Sequence, residues 1–516
     1  MVVIGAGPNG LTIANYLVRS GAKVLLVEQR HDIGGSLLTE DFGGSRYNLH
    51  AMYMPLGEEM PPYSDLELAY YGCLFVEPRA QVTLYLNSSR ALTLYRDTKR
   101  SLKAIEKVAP SDSRRFATMR KEMESLRKDV ILPWTYNSPL SPEKRKALLK
   151  TKKIGKLAER LHGFSPLQIL QYYSIESEEL KLILLYLGCI WGIDPSQEGV
   201  GLVFISFLDG MLRASLVRGG SYLLASSLYK QAVMRGVDVL VGREARKVTV
   251  KGNAVTGVEL SDGQTVHTRS VVSTTDIKTS FQRLLGDDVI SKDMSATAKR
   301  WQWDPWSLFQ AHWTLKTTPK FKSTEGTDSA ALMHIVGYEG VKDFLGHITS
   351  VMEGEPKPAG MVSFPTLVDG SQAAKGLTVA KFTTIAPFRL KEGSWDQVKD
   401  GFAEECFNTW SNVTSNTQQD AILWRYAYPP TYIEMKLANC FRGSLNGGAY
   451  TPQQLGYKRP TMDCSAYRTP VKGFYIGGAS VHPGGGVTLA GGYNAASVVA
   501  KDLGLRRWWK SKYPQK

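Results

Sequence analysis

The first 28 residues combine four features that together restrict the fold. Val2–Ile4 form a short apolar strand that runs into the glycine pattern Gly5-Ala6-Gly7-Pro8-Asn9-Gly10. Residues 12–20 have helical apolar spacing, and Lys23–Glu28 form a second apolar strand that ends in an acid. In such a strand–helix–strand unit the first glycine makes the tight turn, the second lets the backbone approach a pyrophosphate, and the third lets helix and strand pack closely. The pattern predicts a dinucleotide-binding unit.

The residues around this pattern indicate which dinucleotide is bound. The helix amino terminus offers free N–H groups to phosphate, and Glu28 can accept hydrogen bonds from a ribose diol. A second glycine pair, Gly34-Gly35, follows six residues after Glu28. This arrangement is similar to the extended FAD fingerprint of glutathione-reductase-type flavoproteins, and no second dinucleotide fingerprint occurs downstream. We therefore expect FAD and no built-in NAD(P)H site, with these cofactor-binding residues: Gly5, Gly7, Pro8, Asn9, Gly10, Glu28, Gln29, Arg30, Gly34, Gly35 and Ser36.

A second glycine-rich region lies near the other end of the chain. Phe474–Ile476 is predicted to be a strand, residues 482–486 a loop, and Asn494–Leu503 a helix. A glycine-rich loop that opens onto a helix amino terminus favours partial negative charge, which a reduced flavin has around N1 and the C2 carbonyl. We expect Gly477, Gly478, Gly485, Gly486 and Val487 to contact the cofactor. His482 is the best catalytic candidate, with a structural turn histidine as an equal alternative.

The stretch from Tyr467 to Val487, which contains RTPVKGFYIGGASVHPGGGV, resembles the carboxy-terminal signature of the phytoene-desaturase-related flavoproteins. That family includes carotenoid desaturases, carotenoid isomerases and retinol saturase. Val217–Leu223 is similar to the family's RGGxxxL segment. The resemblance implies an α/β fold: a glutathione-reductase-type, Rossmann-like FAD-binding domain with a discontinuous second α+β substrate domain. It also implies that backbone near Val248 meets the adenine.

The resemblance divides the chain into two discontinuous domains. Residues 1–60, 215–285 and 455–516 are expected to form the FAD-binding domain, and residues 61–214 and 286–454 the substrate or cap domain. The first cap segment is predicted to be mostly helical, and residues 305–315 and 359–388 to be strands of a mixed sheet. Several large side chains could line a substrate tunnel or simply pack the core: Trp191, Phe204, Phe207, Met211, Trp301, Trp303 and Trp306.

Composition excludes several classes of protein. The five cysteines show no CxxC pair and the eight histidines no metal-ligand spacing, so we assign no metal. The longest apolar runs fall short of the ~20 residues that span a bilayer. The net charge of +15 favours anionic surfaces, and basic residues crowd residues 144–160 and the tail 505–510. We expect a cytoplasmic protein or one bound peripherally to a membrane, without nucleic-acid partners.

The expected reaction follows from the cofactor. Flavin accepts a hydride at N5, and the protein supplies positioning and electrostatics. The resemblance implies dehydrogenation, or desaturation, of an apolar or conjugated small molecule, with oxygen or a quinone as electron acceptor. The alternatives are an amine or amino-acid oxidase, a redox-neutral isomerase that uses reduced FAD, and a non-catalytic flavoprotein in an assembly role. Arg218, Arg442 and Tyr493 are further candidates for contact with the ring.

Overall fold

The computed structural model describes residues 1–86, 90–322, 328 and 330–515. Its strands are β1 Val2–Ile4, β2 Leu25–Val27, β3 Thr39–Phe42, β4 Ser45–Asn48, β5 Phe75–Val76, β6 Ala80–Tyr85, β7 Ala91–Tyr95, β8 Leu216–Val217, β9 Asp238–Leu240, β10 Ala245–Lys251, β11 Ala254–Leu260, β12 Thr265–His267, β13 Val271–Ser273, β14 Ser307–Leu315, β15 Met333–Val336, β16 Gly360–Ser363, β17 Thr378–Ala386, β18 Ile422–Tyr428 and β19 Phe474–Ile476.

The α-helices are α1 Pro8–Arg19, α2 Pro61–Asp65, α3 Thr98–Val108, α4 Pro110–Leu126, α5 Leu132–Thr135, α6 Pro142–Lys150, α7 Gly155–Gly163, α8 Pro166–Tyr172, α9 Glu178–Cys189, α10 Gly201–Met211, α11 Tyr222–Met234, α12 Lys292–Arg300, α13 Val341–Met352, α14 Pro365–Val368, α15 Trp395–Ser411, α16 Pro430–Lys436 and α17 Ala490–Asp502. Two π-helical segments, Arg127–Ile131 and Thr279–Leu285, interrupt this series.

A five-stranded parallel sheet brings together distant parts of the chain. Its order is β19-β13-β1-β2-β9, and each strand has only three residues, all or mostly apolar, as expected for a parallel sheet covered on its faces. Helix α1 packs against both α11 and α17. The α/β, Rossmann-like fold expected from the glycine pattern is confirmed. An antiparallel meander, β10-β11-β12, is inserted before β13.

The second sheet has seven strands in the order β18-β14-β17-β16-β15-β6-β7. The strands predicted in residues 305–315 and 359–388 are confirmed as β14, β16 and β17. Side chains alternate between the two faces of a strand, so Phe309 and Trp313 of β14 pack with α15 in a separate apolar cluster. Leu308 and Gln310 of the same strand face the opposite way, towards the first sheet's glycine loops.

The helical layer, α3–α10, covers the end of the second sheet. The basic residues crowded into 144–160 do not lie on one helix, because α6 ends at Lys150 and α7 begins at Gly155. A Cβ on Gly155 would lie 1.7 Å from the carbonyl oxygen of Leu149, so the two helices meet through a glycine. Within the described ranges, no helix is long and apolar enough to cross a bilayer.

The carboxy-terminal tail folds back onto the dinucleotide-binding unit. Trp508 stacks on Tyr16 with ring centroids 5.3 Å apart and receives the Arg19 guanidinium 3.5 Å from its ring centre. Trp509 is buried. Both indoles of the tail are used in packing against the dinucleotide-binding unit, while membrane contact of the tail's basic residues stays a prediction.

Candidate flavin site

The two glycine-rich ends of the chain meet at one point. The side-chain oxygen of Asn9, at the start of α1, accepts a hydrogen bond from the backbone N–H of Gly492, in the first turn of α17, at 2.9 Å. The N-cap residues are Gly7 for α1 and Leu489 for α17, and neither makes a side-chain capping hydrogen bond. In α17 the N–H groups of Ala490 and Gly492 are already bonded to Thr488 Oγ1 and Asn9 Oδ1. The positive dipole ends of both helices still point towards the same region, which suits an anionic ligand.

Close backbone packing explains the glycines of the first loop. A Cβ on Gly10 would lie 1.8 Å from the carbonyl oxygen of Gly5, so any larger residue would separate α1 from β1. A Cβ on Gly35 would lie 3.0 Å from the Cα of Gly7, which holds the second glycine pair against the first loop. Gly34 is tied in place by its N–H, which donates to the carbonyl oxygen of Ala6 at 2.8 Å.

Glu28 stands at the carboxyl end of β2 and is buried. Its Oε2 accepts a hydrogen bond from the N–H of Ala6 at 2.8 Å, and its Oε1 accepts one from the N–H of Arg30 at 2.9 Å. Each carboxylate oxygen has a second lone pair for a ligand hydroxyl. Arg30 Nη1 is buried and has no hydrogen-bond partner among the described residues. A buried unpaired guanidinium N–H fits an anionic or polar part of a dinucleotide.

A cavity of about 330 Å³ runs along these elements. Twelve of the predicted cofactor residues line it: Gly5, Gly7, Pro8, Asn9, Glu28, Gln29, Arg30, Gly35, Ser36, Gly485, Gly486 and Val487. Gly10, Gly34, Gly477 and Gly478 do not line the cavity. They hold its framework instead, since a Cβ on Gly478 would lie 2.3 Å from the carbonyl oxygen of Thr274. The amino-terminal ends of α1 and α17, the close glycine contacts and the unpartnered Nη1 of Arg30 all fit bound FAD.

Two predicted residues lie elsewhere. Val248 is fully buried in the core beside the first sheet, and the cavity reaches β10 only at its first residue, Ala245, and at Glu244 before it. His482 is also fully buried and does not line the cavity. Its Nε2 donates to the carbonyl oxygen of Trp134 at 2.8 Å, and burial lowers its pKa to about 4. This placement corresponds to the structural turn histidine rather than to a catalytic group.

The three further candidates for ring contact also lie away from the cavity. Arg218 and Arg442 are exposed. Tyr493 is buried against Tyr16 and Trp509. Their positions near glycine-rich motifs in sequence did not determine where their side chains point.

Sequence reasoning missed a set of polar residues that follows β13. Its members are Thr274, Thr275, Asp276, Thr279 and Arg283, all of which line the cavity. Thr274 Oγ1 donates to the carbonyl oxygen of Ile4 at 2.8 Å, and burial raises the pKa of Asp276. The sequence did contain a signal for these residues, a polar run directly after an apolar strand. Ligands bind at the carboxyl ends of parallel strands, where such a run lies.

The far end of the cavity is mostly apolar and is built from the cap and the second sheet. Its large side chains are Met52, Tyr53, Trp191, Phe207, Met211, Leu308, Ile433 and Leu437. Of the seven large residues predicted to line a tunnel or pack the core, Trp191, Phe207 and Met211 line the cavity. Phe204, Trp301, Trp303 and Trp306 do not. Gln310 also lines it, and its Oε1 is buried without a hydrogen-bond partner among the described residues.

A buried lysine lies behind this end of the cavity. Lys381 of β17 is 3% exposed, and its Nζ donates to the carbonyl oxygens of Asn48 at 2.7 Å and His50 at 3.0 Å. Burial lowers the pKa of Lys381 to about 7 and that of His50 to about 3. The lysine thus fixes the backbone of the segment whose next residues, Ala51 to Tyr53, line the cavity.

A buried arginine holds the opposite wall. Arg459 is fully buried, and its Nη2 donates to the carbonyl oxygens of Asn446 at 2.7 Å and Ala479 at 3.0 Å. Asn446 and Ala479 line the cavity. One guanidinium therefore joins the segment before the glycine-rich loop to the loop itself, with several backbone carbonyls in place of a carboxylate partner.

Comparison with known proteins agrees with this geometry. The model of the family described as flavin containing amine oxidoreductase matches residues 9–285, more than half of the chain. The chain belongs to this family. A curated relative, a limonene dehydrogenase subunit from Castellaniella defragrans, is 37% identical over 99% of this chain and 96% of the relative.

More distant similarities extend the comparison. A 4,4'-diapophytoene desaturase of Staphylococcus aureus is 22% identical over 95% of this chain and 96% of its own, which confirms the resemblance to phytoene-desaturase-related flavoproteins. A crystal structure of an oxidoreductase from Methanosarcina mazei superposes with a TM-score of 0.62 at 14% identity, over 97% of this chain and 99% of that one. At that identity the structural likeness shows the fold alone. The chain is an FAD-dependent oxidoreductase.

Proposed function

We propose that this flavoprotein dehydrogenates a compact apolar hydrocarbon bound at the far end of the cavity. The observation that supports this most is the lining of that end, where Trp191, Phe207 and Met211 are joined by aliphatic residues of β14 and α16. Apolar walls with few polar groups bind ligands mainly by burying apolar surface. The similarity to a limonene dehydrogenase and to a diapophytoene desaturase supports the same class of substrate.

The lining supports a compact substrate rather than a long one. The apolar wall is confined to residues near Tyr53, Trp191–Met211, Leu308 and Ile433–Leu437. A ring or branched hydrocarbon of about ten carbons fits such a chamber better than an extended polyene. We propose that the turn that carries Trp191 and the helix α10 that carries Phe207 hold the reacting carbon against the flavin and exclude water.

The cofactor-binding residues are also proposed from the cavity. The amino-terminal ends of α1 and α17 would face the negative parts of the cofactor, Glu28 the ribose, and Gly485–Val487 the flavin end. FAD, when bound, supplies the acceptor for a hydride from a substrate C–H bond. A two-electron desaturation would remove that hydride from one carbon and a proton from its neighbour, with the proton released to solvent.

The same lining argues against amine oxidation. The acids that line the cavity within the described chain are Glu28, Glu244 and Asp276, and all three lie on the dinucleotide-binding elements. A protonated amine in the apolar chamber would therefore have no carboxylate partner there, and burial of an unpaired charge is unfavourable. Hydrocarbon dehydrogenation remains the better fit.

Two finer proposals concern partners of the reaction. Because the sequence contains one dinucleotide fingerprint, we propose that oxygen or a quinone, rather than NAD(P)⁺, receives the electrons. We also propose that the chain contacts a membrane surface peripherally through α6 and α7, where eight basic residues stand against two acidic ones between residues 142 and 160. Such contact would give access to an apolar substrate dissolved in lipid.

Anaerobic flavin reduction tests the reaction. Purified holoprotein is mixed with cyclic monoterpenes, linear polyenes or primary amines, and bleaching of the flavin absorbance is followed. We expect reduction by a monoterpene-sized hydrocarbon, and reoxidation by a quinone analogue or by air. Reduction by amines alone would refute the proposal and assign an amine oxidase. A protein that binds no FAD would refute the site itself.

A further inference from the structure

A second, smaller pocket opens beneath the basic helices, outside the flavin cavity. Its volume is about 50 Å³. Its walls are apolar and come from the segment around α5 and from α6 and α10: Val130, Pro133, Trp134, Leu140, Leu148, Leu149 and Leu202. The pocket is large enough for the end of an alkyl chain, and apolar cavities of this kind bind apolar guests.

The polar rim of this pocket is cationic. Arg145, Lys152 and His162 line it together with one exposed carboxylate, Asp129. Arg145 Nη1 lies 2.8 Å from Nε2 of His162, and Arg145 Nε is buried without a partner among the described residues. No carboxylate of the described chain forms an ion pair with Arg145 within 4.0 Å. Burial lowers the pKa of His162 to about 4, so the histidine is neutral near pH 7. The carboxylate that acts on the Arg145 guanidinium is Glu159, at a distance longer than an ion pair.

The surface around the pocket adds further positive charge. Exposed cations on α6, α7 and their connecting turn are Lys144, Lys146, Lys150, Lys153, Lys156 and Arg160. Their only close acidic partner among the described ion pairs is Glu159, 3.9 Å from Lys146. Each basic residue near an anionic bilayer adds to the electrostatic attraction. An apolar slot within a cationic face matches the chemistry of an anionic amphiphile.

We propose that this pocket is a docking site for a phospholipid of an anionic bilayer. Arg145 and Lys152 bind the headgroup phosphate, and the end of an acyl chain enters the apolar slot beside Leu148 and Trp134. The remaining cations of α6 and α7 contact the surrounding anionic headgroups. The proposal deepens the membrane contact proposed above by naming the residues and the lipid chemistry.

The side chain of His482 connects this pocket to the loop that lines the flavin cavity. The Trp134 carbonyl oxygen accepts the hydrogen bond from His482, and the two rings pack with centroids 4.9 Å apart. Residues 484–487, directly after His482, line the flavin cavity. Along α10, Leu202 in the pocket and Phe207 in the cavity are about 8 Å apart at 1.5 Å per residue. A lipid chain in the pocket therefore contacts the support of the flavin loop.

Vesicle binding by the full-length holoprotein tests the site without any substrate, so failure here leaves the proposed dehydrogenation untouched. Vesicles are made of phosphatidylcholine alone or with phosphatidylglycerol, and with brominated acyl chains in a second series. The test variant is Arg145→Gln with Lys152→Gln. The matched control is Lys342→Gln with Lys375→Gln, which removes the same charge from exposed residues elsewhere. FAD absorbance and the unfolding temperature verify that each variant is folded.

We expect the wild-type protein to sediment with anionic but not neutral vesicles, and the test variant to bind at least roughly tenfold more weakly. The control variant should bind nearly as well as the wild type. Brominated chains should quench tryptophan fluorescence, and Trp134→Phe should lose part of that quenching while still sedimenting. Equal weakening by both double variants, equal binding to neutral vesicles, or quenching unaffected by Trp134→Phe would each overturn the proposal.

Discussion

The Nε2 atom of His482 donates a hydrogen bond of 2.8 Å to the backbone carbonyl oxygen of Trp134. This bond joins the glycine-rich loop of the flavin site to the α5 segment of the helical cap, 348 residues earlier in the chain. Burial lowers the pKa of His482 to about 4, so the ring is neutral at physiological pH and acts as a fixed donor. The histidine that stood out in sequence supports the loop through this bond, and its catalytic role stays a prediction.

Replacement of His482 should change stability more than chemistry. We expect His482→Ala to lower the free energy of unfolding by about 1–3 kcal/mol, because the buried Trp134 carbonyl loses its donor. The rate constant of flavin reduction in the folded fraction should change by less than about threefold, a difference under 1 kcal/mol. Urea unfolding and stopped-flow reduction measure the two quantities. Unchanged stability together with lost reduction would make His482 catalytic.

Gly10→Ala should prevent formation of the flavin site. The added methyl group would lie 1.8 Å from the Gly5 carbonyl oxygen, a backbone atom that cannot move without separating α1 from β1. We expect a colourless or insoluble protein. Gly346→Ala is the matched control, since Gly346 lies in α13 with nothing within 4 Å of the new methyl group. That change should leave FAD content unaltered and stabilise the helix by up to about 1 kcal/mol.

Glu28→Gln should weaken FAD binding while the fold is kept. The carboxylate accepts two backbone hydrogen bonds and has free lone pairs towards the cavity. Hydrogen bonds to a charged group contribute about 1.5–3 kcal/mol, so the Kd of the apoprotein for FAD should rise about ten- to a hundredfold. Titration of apoprotein with FAD, followed by flavin fluorescence, measures this. Glu353→Gln, at an exposed position, should leave the Kd unchanged, and an unchanged Kd for Glu28→Gln would contradict the assignment.

Met211→Trp should block the apolar chamber. Met211 lines the cavity from the end of α10. A larger ring there would occupy substrate space, and overpacking of this kind lowers the free energy of unfolding by about 1–3 kcal/mol. We expect kcat/KM for the hydrocarbon substrate to fall at least roughly tenfold, with normal FAD content. Met352→Trp, at an exposed position, provides the control. Equal kcat/KM for both variants would place the substrate elsewhere.

Lys381 should make stability depend on pH. Burial lowers its pKa in the folded protein from the usual 10.5 to about 7. Between those values the unfolded chain binds more protons than the folded chain, so stability rises as the pH increases from about 7 to about 10. The variant Lys381→Met lacks this rise in stability with pH. The wild type should therefore become more stable relative to the variant across that range, as measured by urea unfolding at several pH values.

The exposed Lys375 offers the comparison for this pH effect, because Lys375→Met should show the same pH dependence as the wild type. Parallel pH profiles for wild type and Lys381→Met would mean that the buried amine does not titrate in this range.

The local glycine patterns predict the nucleotide half of the site, and the cavity lies along the residues they name. A tight turn, a close backbone approach and a helix amino terminus depend on residues within one strand–helix–strand unit, so Gly5, Gly7, Glu28 and Gly35 could be assigned without tertiary contacts. The helix after the second glycine loop was also predicted, although α17 begins four residues earlier than Asn494. Of the second sheet, β14, β16 and β17 were predicted, whereas β6, β7, β15 and β18 were not. The proposed domain limits stay predictions.

The side-chain directions and the apolar chamber depended on contacts between residues far apart in the chain. A side chain's direction at His482, Arg218 or Val248 is set by what packs against it, and local sequence does not contain that information. The apolar chamber joins Tyr53, Trp191, Leu308 and Ile433 from four separate segments. The roles of Lys381 and Arg459 in holding the cavity walls depend on backbone carbonyl partners that lie far away in the sequence. The sequence alone determined the cofactor and the fold, because they rest on local backbone geometry, whereas the shape of the substrate chamber was decided by long-range packing.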